Sequence, residues 1–231
     1  SLGFALDVPV IPVHHMEAHL LMAKYDAPQL KYPFLTLLVS GGHTILAKVE
    51  SSGVYKILGQ TIDDAVGEAF DKTAKLLGLR YPGGPEIEKN AVNGKKMKDS
   101  FPRPILKSED YNFSFSGLKT AVLYKVNSLK KKNEFTKQTI SDISLEFQEA
   151  AIDCLLYKTK KVLIDFNLDQ VVLSGGVAAN KQLRKRFNEE LGKKYTVIYP
   201  DFSHCTDNGA MIAFSGFEKF SSCDKENNIS V

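Results

Sequence analysis

Two histidines near the beginning of the sequence have the spacing of a metal-binding pair. His15 and His19 are four residues apart in a segment of helical character, and this spacing puts both imidazoles on one helix face, with Cβ atoms about 5 to 6 Å apart. Such a pair can hold one metal ion when a third ligand is supplied. Asp207 is a candidate ligand, although an aspartate ahead of an apolar helix is usually an N-cap. Without a third ligand, a histidine pair with this spacing more often packs or faces solvent.

Glu17 lies between the two histidines, but not where a zinc protease needs its glutamate. In the protease motif HExxH the glutamate directly follows the first histidine and acts as the base for the metal-bound water. Glu17 is two residues past His15 and is therefore rotated by about 200° around the helix axis. Its side chain points away from the histidine face, so the protease interpretation fails.

The sequence contains two similar serine-glycine-glycine turns, each of which follows an apolar run. Ser40-Gly41-Gly42 follows Leu38 and Val39 at the end of an apolar run, and Ser174-Gly175-Gly176 follows a second apolar run. A glycine pair lets the main chain approach an anion without a Cβ in the way, and consecutive N–H groups then converge on that anion. Each turn by itself is most often only a tight turn. As a pair, with Asn180 just past the second one, they favour a two-lobed nucleotide clamp.

Three further features allow both a structural and a functional interpretation. Asp71 is either a surface carboxylate or an acceptor for ribose or substrate hydroxyls. Gly83-Gly84 is flanked by prolines and is either a helix stop or a main-chain wall against a ligand. The run Lys130-Lys131-Lys132 is typical of a solvated loop, with an RNA-backbone contact as the alternative. The residues alone leave these alternatives open.

The elements that must position these residues alternate between helices and strands. Apolar runs separated by glycine turns predict an antiparallel meander of three strands at Phe34–Val39, Thr44–Glu50 and Val54–Leu58. Helical spacing predicts helices over 14–25, 63–77, 86–92, 118–129, 139–166, 179–191 and 207–220. Short strand-like pieces are predicted at 101–106, 113–115, 171–173 and 195–199. The fold class is therefore α/β.

The composition is typical of an ordinary globular protein. The 231 residues are 43% hydrophobic and 25% charged, with a formal net charge of +3, which argues against disorder and is compatible with an RNA partner without indicating one. No window reaches the roughly 18 to 20 uninterrupted apolar residues of a membrane-spanning helix. The cysteines, Cys154, Cys205 and Cys223, have no CxxC spacing and so favour a reducing, intracellular compartment over a disulfide framework or a cysteine zinc site.

Six motifs follow one another along the chain, at 15–19, 38–44, 63–85, 113–120, 174–180 and 205–211. In order and spacing they resemble the motifs of the TsaD family of tRNA adenosine threonylcarbamoyltransferases, formerly described as O-sialoglycoprotein endopeptidases. The likeness spans essentially the whole chain. The helix at 63–79 and the segment Phe113-Ser114-Phe115-Ser116-Gly117 are more similar to the bacterial or organellar branch than to the archaeal one.

The resemblance implies the actin/Hsp70/sugar-kinase fold, in which two lobes clamp a nucleotide. It also implies transfer of a threonylcarbamoyl group from threonylcarbamoyl-AMP to N6 of adenosine 37 in tRNAs that read ANN codons. One divalent metal ion, iron or zinc, would be held by His15, His19 and Asp207, and it would activate the carbamoyl donor without a nucleophilic side chain. The residues implied in binding the adenylate and its threonylcarbamoyl group are Leu38, Val39, Ser40, Gly41, Gly42, Asp71, Gly84 and Asn180.

One departure from the family concerns the beginning of the chain. Family members carry roughly a hundred further residues, the size of a small domain, before the position of Ser1. We therefore expect residues 1–32 and 207–231 to be a remnant of an incomplete lobe I, and residues 33–206 to be the nucleotide-binding lobe II. The isolated chain is then expected to be inactive and less stable, because the remnant helices would lack the sheet that they normally cover.

The resemblance also implies partners and a location. The expected partners are tRNA, a TsaB-like paralogue, a TsaE-like ATPase and an upstream threonylcarbamoyl-AMP synthase, in a bacterial cytoplasm or alternatively a mitochondrial matrix, with no membrane. Two other functions stay open from the residues. A small-molecule kinase of the same fold would have no use for His15 and His19, and a non-catalytic nucleotide-binding scaffold would be expected to lack the metal triad.

Overall fold

Five strands form one mixed sheet in the computed structural model, which describes residues 2–205 and 207–223. The strands are β1 (Phe34–Val39), β2 (Thr44–Ser51), β3 (Val54–Gln60), β4 (Gln170–Ser174) and β5 (Thr196–Ile198). Their spatial order is β3-β2-β1-β4-β5. The antiparallel pairing of β1, β2 and β3 confirms the predicted meander, whereas β4 runs parallel to β1 and β5 runs parallel to β4.

Helices account for most of the remaining described residues. They are α1 (Leu2–Leu6), α2 (His15–Asp26), α3 (Val66–Leu77), α4 (Gly83–Ala91), α5 (Ser116–Lys131), α6 (Lys137–Asp165), α7 (Lys181–Leu191) and α8 (Gly209–Cys223), with 3₁₀ turns at Gly176–Ala179 and Phe202–His204. Each helix that the apolar spacing predicted is present, with ends shifted by a few residues.

The sheet is covered by helices on both faces. All six residues of β1 are buried, and successive side chains of a strand point to opposite faces. Leu35 and Leu37 belong to the larger core, which includes Phe147 of α6. Phe34 belongs to a second core, which it shares with Leu20 and other side chains of α2. This layering confirms the predicted α/β class, while the division of the chain at residues 33 and 206 stays a prediction.

The segment 101–106 is not a strand, so that prediction is wrong. These residues instead form a loop that polar contacts attach to α6. The Phe101 backbone N–H donates to the Glu146 carboxylate at 3.2 Å, and Arg103 forms ion pairs of 2.9 Å with both Glu146 and Asp153. The piece at 113–115 is reduced to one parallel bridge between Thr61 and Phe113. Side-chain acceptors thus take the place of a neighbouring strand.

Asp63 explains why α3 begins at Val66 and not at residue 63. The Asp63 carboxylate accepts hydrogen bonds from the backbone N–H and hydroxyl groups of Ser116, the N–H of Phe115 and the hydroxyl of Ser114. These donors lie at the beginning of α5, whose first N–H groups have no partner within the helix. Asp63 therefore ties the end of the meander to α5, which gives the Phe-Ser-Phe-Ser-Gly segment a structural role.

We expect Asp63→Ala to lower the free energy of unfolding by about 1 to 2 kcal/mol near pH 7, as loss of a helix cap does. Burial raises the pKa of Asp63, but the four hydrogen bonds outweigh it and hold the pKa below its ordinary value of 3.8. A carboxyl group with a lowered pKa in the folded state stabilises above its unfolded-state pKa, and this stabilisation is lost as the pH falls through the folded-state pKa.

Urea unfolding between about pH 5 and pH 3 measures this effect. The parent protein is expected to lose more stability over this interval than Asp63→Ala does. Asp99→Ala is the matched control, because the Asp99 side chain is 82% exposed and its ion pair with Lys125 is 3.9 Å long. Equal losses in the parent and in Asp63→Ala would contradict the role of Asp63.

The described helices and cysteines bear on two further expectations. No described helix combines the length and the apolar character that crossing a bilayer would require. Cys154 and Cys205 are buried free thiols. Burial raises the pKa of the Cys154 thiol to about 12, so this cysteine stays protonated and unreactive at neutral pH.

Candidate functional site

The two serine-glycine-glycine turns lie side by side at one edge of the sheet. β1 and β4 are parallel neighbours in which Leu38 is aligned with Ser174, so the chain leaves both strands at the same edge. The sequence predicted that the two turns belong to a nucleotide clamp with two lobes, and the division into lobes stays a prediction. In the part of the chain that the structure describes, both turns belong to one sheet, because the two strands that precede them pair directly.

The glycines of these turns divide into packed and open positions. Gly175 has φ 88 and ψ 163, and a Cβ there would lie 2.4 Å from the Val39 carbonyl oxygen. By contrast, a Cβ at Gly41, Gly42 or Gly176 would meet nothing within 4 Å. Gly175 is therefore required for close packing of the two turns, whereas the other three leave room for a ligand against the main chain.

The first turn is held in shape by its own serine. The Ser40 hydroxyl oxygen accepts hydrogen bonds from the backbone N–H groups of Gly42, at 3.3 Å, and His43, at 3.0 Å. The beginning of α3 packs against the same turn, where the Gly67 N–H donates to the Ser40 carbonyl at 3.2 Å. The N-terminus of α3 therefore lies at this turn, and the N-terminus is the helix end that favours anions.

His15, His19 and Asp207 lie together at the mouth of a cleft. Nε2 of His19 is 2.9 Å from Oδ1 of Asp207, and Nε2 of His15 is 3.4 Å from the same oxygen. The candidate ligand atoms of all three residues lie within 4.8 Å of one another. The structure thus brings the predicted third residue to the histidine pair from 188 residues away along the chain.

Two local features fit this trio to metal binding. Burial lowers the pKa of His19, although the Asp207 carboxylate acts in the opposite direction, and a neutral imidazole is the form that binds a metal. Helix α8 is capped by Asn208, whose Oδ1 accepts from the Met211 N–H at 3.0 Å. The alternative role of Asp207 as an N-cap is therefore wrong, and its carboxylate faces the histidines.

The cleft beside the trio has a volume of about 540 Å³. Its lining combines the trio with both glycine turns: His15, His19, Ser40, Gly41, Gly42, His43, Gly176, Cys205 and Asp207. Sequence reasoning did not single out His43 or Cys205 as site residues. Their positions next to Gly42 and two residues before Asp207 were the available signals.

A second cavity, of about 400 Å³, lies near the other predicted nucleotide-binding residues. Its walls come from α4, α6 and the beginning of α7: Pro85, Glu88, Lys89, Ala91, Val92, Leu145, Gln148, Lys181 and Gln182. Gly176 lines the first cavity and Lys181 the second, so residues only five positions apart in the chain line the two cavities.

The remaining predicted nucleotide-binding residues have structural partners. Asn180 caps α7, since its Oδ1 accepts from the Leu183 N–H at 2.9 Å, and its amide donates to Gln148 at 2.8 Å. Asp71 accepts from the Gly83 N–H at 2.7 Å. The side chains of Leu38 and Val39 are buried in the sheet, so these two residues can offer a ligand only their main chain. Gly84 has open space at its Cβ position.

The chain has the fold that the resemblance implied, which is that of actin, Hsp70 and sugar kinases. Two solved HypF structures are 16% identical to it. One is full-length HypF in a phosphate- and nucleotide-bound form, with a TM-score of 0.72 over 99% of this chain and 45% of that one. The other is HypF of T. kodakarensis, with a TM-score of 0.69 over 96% and 38%. The expectation of this fold is confirmed.

The chain belongs to the TsaD family. The family model for TsaD, tRNA N6-adenosine threonylcarbamoyltransferase, matches residues 1–214. Proteins of that name from Nitrosospira multiformis and Chromobacterium violaceum are each 50% identical to it, over 99% and 94% of this chain. The chain spans 66% and 64% of these two relatives, or about two thirds of their length.

Proposed function

We propose that this chain carries the nucleotide and metal sites of a tRNA-modifying acyltransferase. The reaction is transfer of a threonylcarbamoyl group from threonylcarbamoyl-AMP to N6 of adenosine 37 in tRNAs that read ANN codons. Family membership supports the substrate and the reaction. The observation that carries the proposal is the convergence of His15, His19 and Asp207 in the cleft lined by both glycine turns.

The two cavities suit the two ends of an acyl adenylate. The cavity at α4 has apolar walls for a base, including Pro85, Val92 and Leu145. The phosphate would lie at Gly41, Gly42 and Gly176, where the main chain is open to the cleft and N–H groups can converge on an anion. In this arrangement Asp71 and Asn180 hold Gly83 and the beginning of α7 in place.

The donor set suits a divalent metal ion. Two imidazole nitrogens and one carboxylate oxygen are ligands that iron and zinc both accept, and they would come from His15, His19 and Asp207. When bound, such an ion supplies a Lewis acid for a carbonyl or phosphoryl oxygen. The protein contributes His19, whose neutral form is favoured by burial. It also contributes the Asp207 carboxylate, which does not cap α8 because Asn208 does.

The side chains of the cleft favour direct attack by N6 of the adenosine on the carbamoyl carbon. In this step the new N–C bond forms, the bond from that carbon to the phosphate oxygen breaks, AMP leaves, and N6 gives up one proton to the released phosphate or to water. The Ser40 hydroxyl oxygen is engaged by two N–H groups of its own turn. Burial raises the pKa of the Cys205 thiol, so little thiolate is present near pH 7. We expect intact-mass spectrometry under turnover to find no threonylcarbamoyl adduct on the protein. A trapped adduct on Cys205 or Ser40 would contradict direct attack.

The family membership also supports partners and a compartment for the proposed reaction. The partners are tRNA, a TsaB-like paralogue, a TsaE-like ATPase and the synthase that supplies threonylcarbamoyl-AMP. The relatives named above are bacterial, which supports the bacterial cytoplasm over the mitochondrial matrix.

Incorporation of radiolabelled threonine into tRNA tests the proposal. The reaction contains this chain as part of a protein with the full length of its relatives, together with threonine, bicarbonate, ATP, the synthase, the auxiliary subunits and unmodified tRNA. We expect label in tRNA with adenosine 37 and none in a tRNA with guanosine 37, and the label is expected to depend on the chain. Parallel titrations of the chain with nucleotide and with metal distinguish the other two functions. Nucleotide binding without metal binding would favour a kinase, and the absence of both kinds of binding would favour a scaffold.

A further inference from the structure

Glu17, the residue between the two histidines, is a buried charge that the proposed reaction does not use. Its side chain is 5% exposed, and its Oε2 lies 3.1 Å from Nζ of Lys219 in α8. Its Oε1 is buried and makes no hydrogen bond among the described residues. The same Lys219 ammonium donates to the Pro12 carbonyl at 3.1 Å. One ammonium group thus joins α2, the segment before it and α8.

Apart from one edge-to-face ring contact, between Tyr25 and Phe214 with centroids 5.6 Å apart, the rest of the contact between α2 and α8 is poorly suited to fixing the relative position of the two helices along their axes. Its buried centre consists of Ala18, Met22 and Met211. Such apolar contacts are non-directional, and methionine adapts to many shapes. A second ion pair, between Lys24 and Glu218, is 3.9 Å long. The pair between Glu17 and Lys219 is shorter and its carboxylate is more deeply buried, and charge-assisted hydrogen bonds are directional.

We propose that the ion pair between Glu17 and Lys219 positions the histidines of α2 against Asp207, which precedes α8. Glu17 lies within one turn of both His15 and His19, so a shift of α2 at this point moves both imidazoles together. Metal sites require ligand distances to hold within about 0.2 Å, so a small slide of the helix lowers affinity. Glu17 and Lys219 are therefore positioning residues. The inference rests on the proposed function, since it takes the trio as a metal site.

The test compares Co²⁺ affinity with stability in variants of the whole chain. Titration of Co²⁺, followed by its visible absorption, gives the Kd and a spectrum that reports ligand geometry, and urea unfolding gives the stability. Lys219→Met leaves a lone buried carboxylate and can fail to fold. The double variant Glu17→Leu with Lys219→Met removes both charges, an exchange that is often neutral for stability. Lys219→Arg keeps the charge. Lys24→Met removes the second ion pair, together with the contact of the Lys24 ammonium with the Tyr32 ring, and leaves the pair between Glu17 and Lys219 in place.

We expect the double variant to stay folded, to bind Co²⁺ about 10- to 100-fold more weakly and to have an altered visible spectrum, as when groups that orient metal ligands are lost. Lys219→Arg and Lys24→Met are expected to stay within about threefold of the parent, well below that range. A folded double variant with the parental Kd and spectrum would overturn the inference but leave the metal site intact. Failure of the parent to bind Co²⁺ would overturn both. An unfolded double variant would also overturn the inference, because the pair would then hold the whole fold.

Discussion

His19→Ala is expected to abolish retention of a divalent metal ion while the chain stays folded. His19 supplies one of three candidate ligands, and its Nε2 is 2.9 Å from Asp207 Oδ1. Loss of a group that merely orients a ligand lowers metal affinity about 10- to 100-fold, so loss of a ligand is expected to exceed a hundredfold. The measurement is elemental analysis of the purified protein together with a Co²⁺ titration. Asp207→Ala and His15→Ala are expected to act in the same direction.

His43→Ala is the matched control for this prediction. His43 lines the same cleft but does not belong to the trio whose ligand atoms lie within 4.8 Å of one another. We expect it to keep the parental metal content. Unchanged metal content in His19→Ala would show that His19 is not a metal ligand. Loss of metal in His43→Ala would show that the proposed ligands, His15, His19 and Asp207, are not the complete set.

Gly175→Ala is expected to destabilise the protein by about 3 kcal/mol or more. The backbone angles at this position, φ 88 and ψ 163, lie in a region that essentially only glycine occupies. Any other residue there is destabilised by about 1 to 3 kcal/mol of backbone strain. A Cβ would also lie 2.4 Å from the Val39 carbonyl oxygen, and overpacking of this kind costs about 1 to 3 kcal/mol. Urea unfolding by circular dichroism measures the loss.

Gly176→Ala, one residue further on, is expected to have the opposite profile. A Cβ at Gly176 meets nothing within 4 Å, so the stability should change by no more than about 0.5 kcal/mol. The same Cβ would occupy the space that we assign to the phosphate, and AMP affinity is expected to fall about tenfold or more, comparable to a misplaced contact in a site. Equal destabilisation by both variants would contradict the division into packed and open glycines.

Local signals in the sequence predicted most of the elements. The meander followed from apolar runs separated by glycine turns, and each predicted helix is present because helical periodicity depends on neighbours only three or four residues away. The same reasoning placed His15 and His19 on one face and Glu17 on another, where it meets Lys219. It failed at 101–106, since the acceptors that hold that loop lie on α6, more than 40 residues away.

The residue types of the site, a histidine pair, a carboxylate and two glycine turns, can be read directly from the sequence. Which of these residues come into contact depends on how the helices and strands pack. Parallel pairing of β1 with β4 brings the turns to one edge, and the packing of α8 against α2 brings Asp207 to the histidines. These contacts join residues more than a hundred positions apart. They are set by burial of apolar faces in a shared core, which no short window of sequence contains.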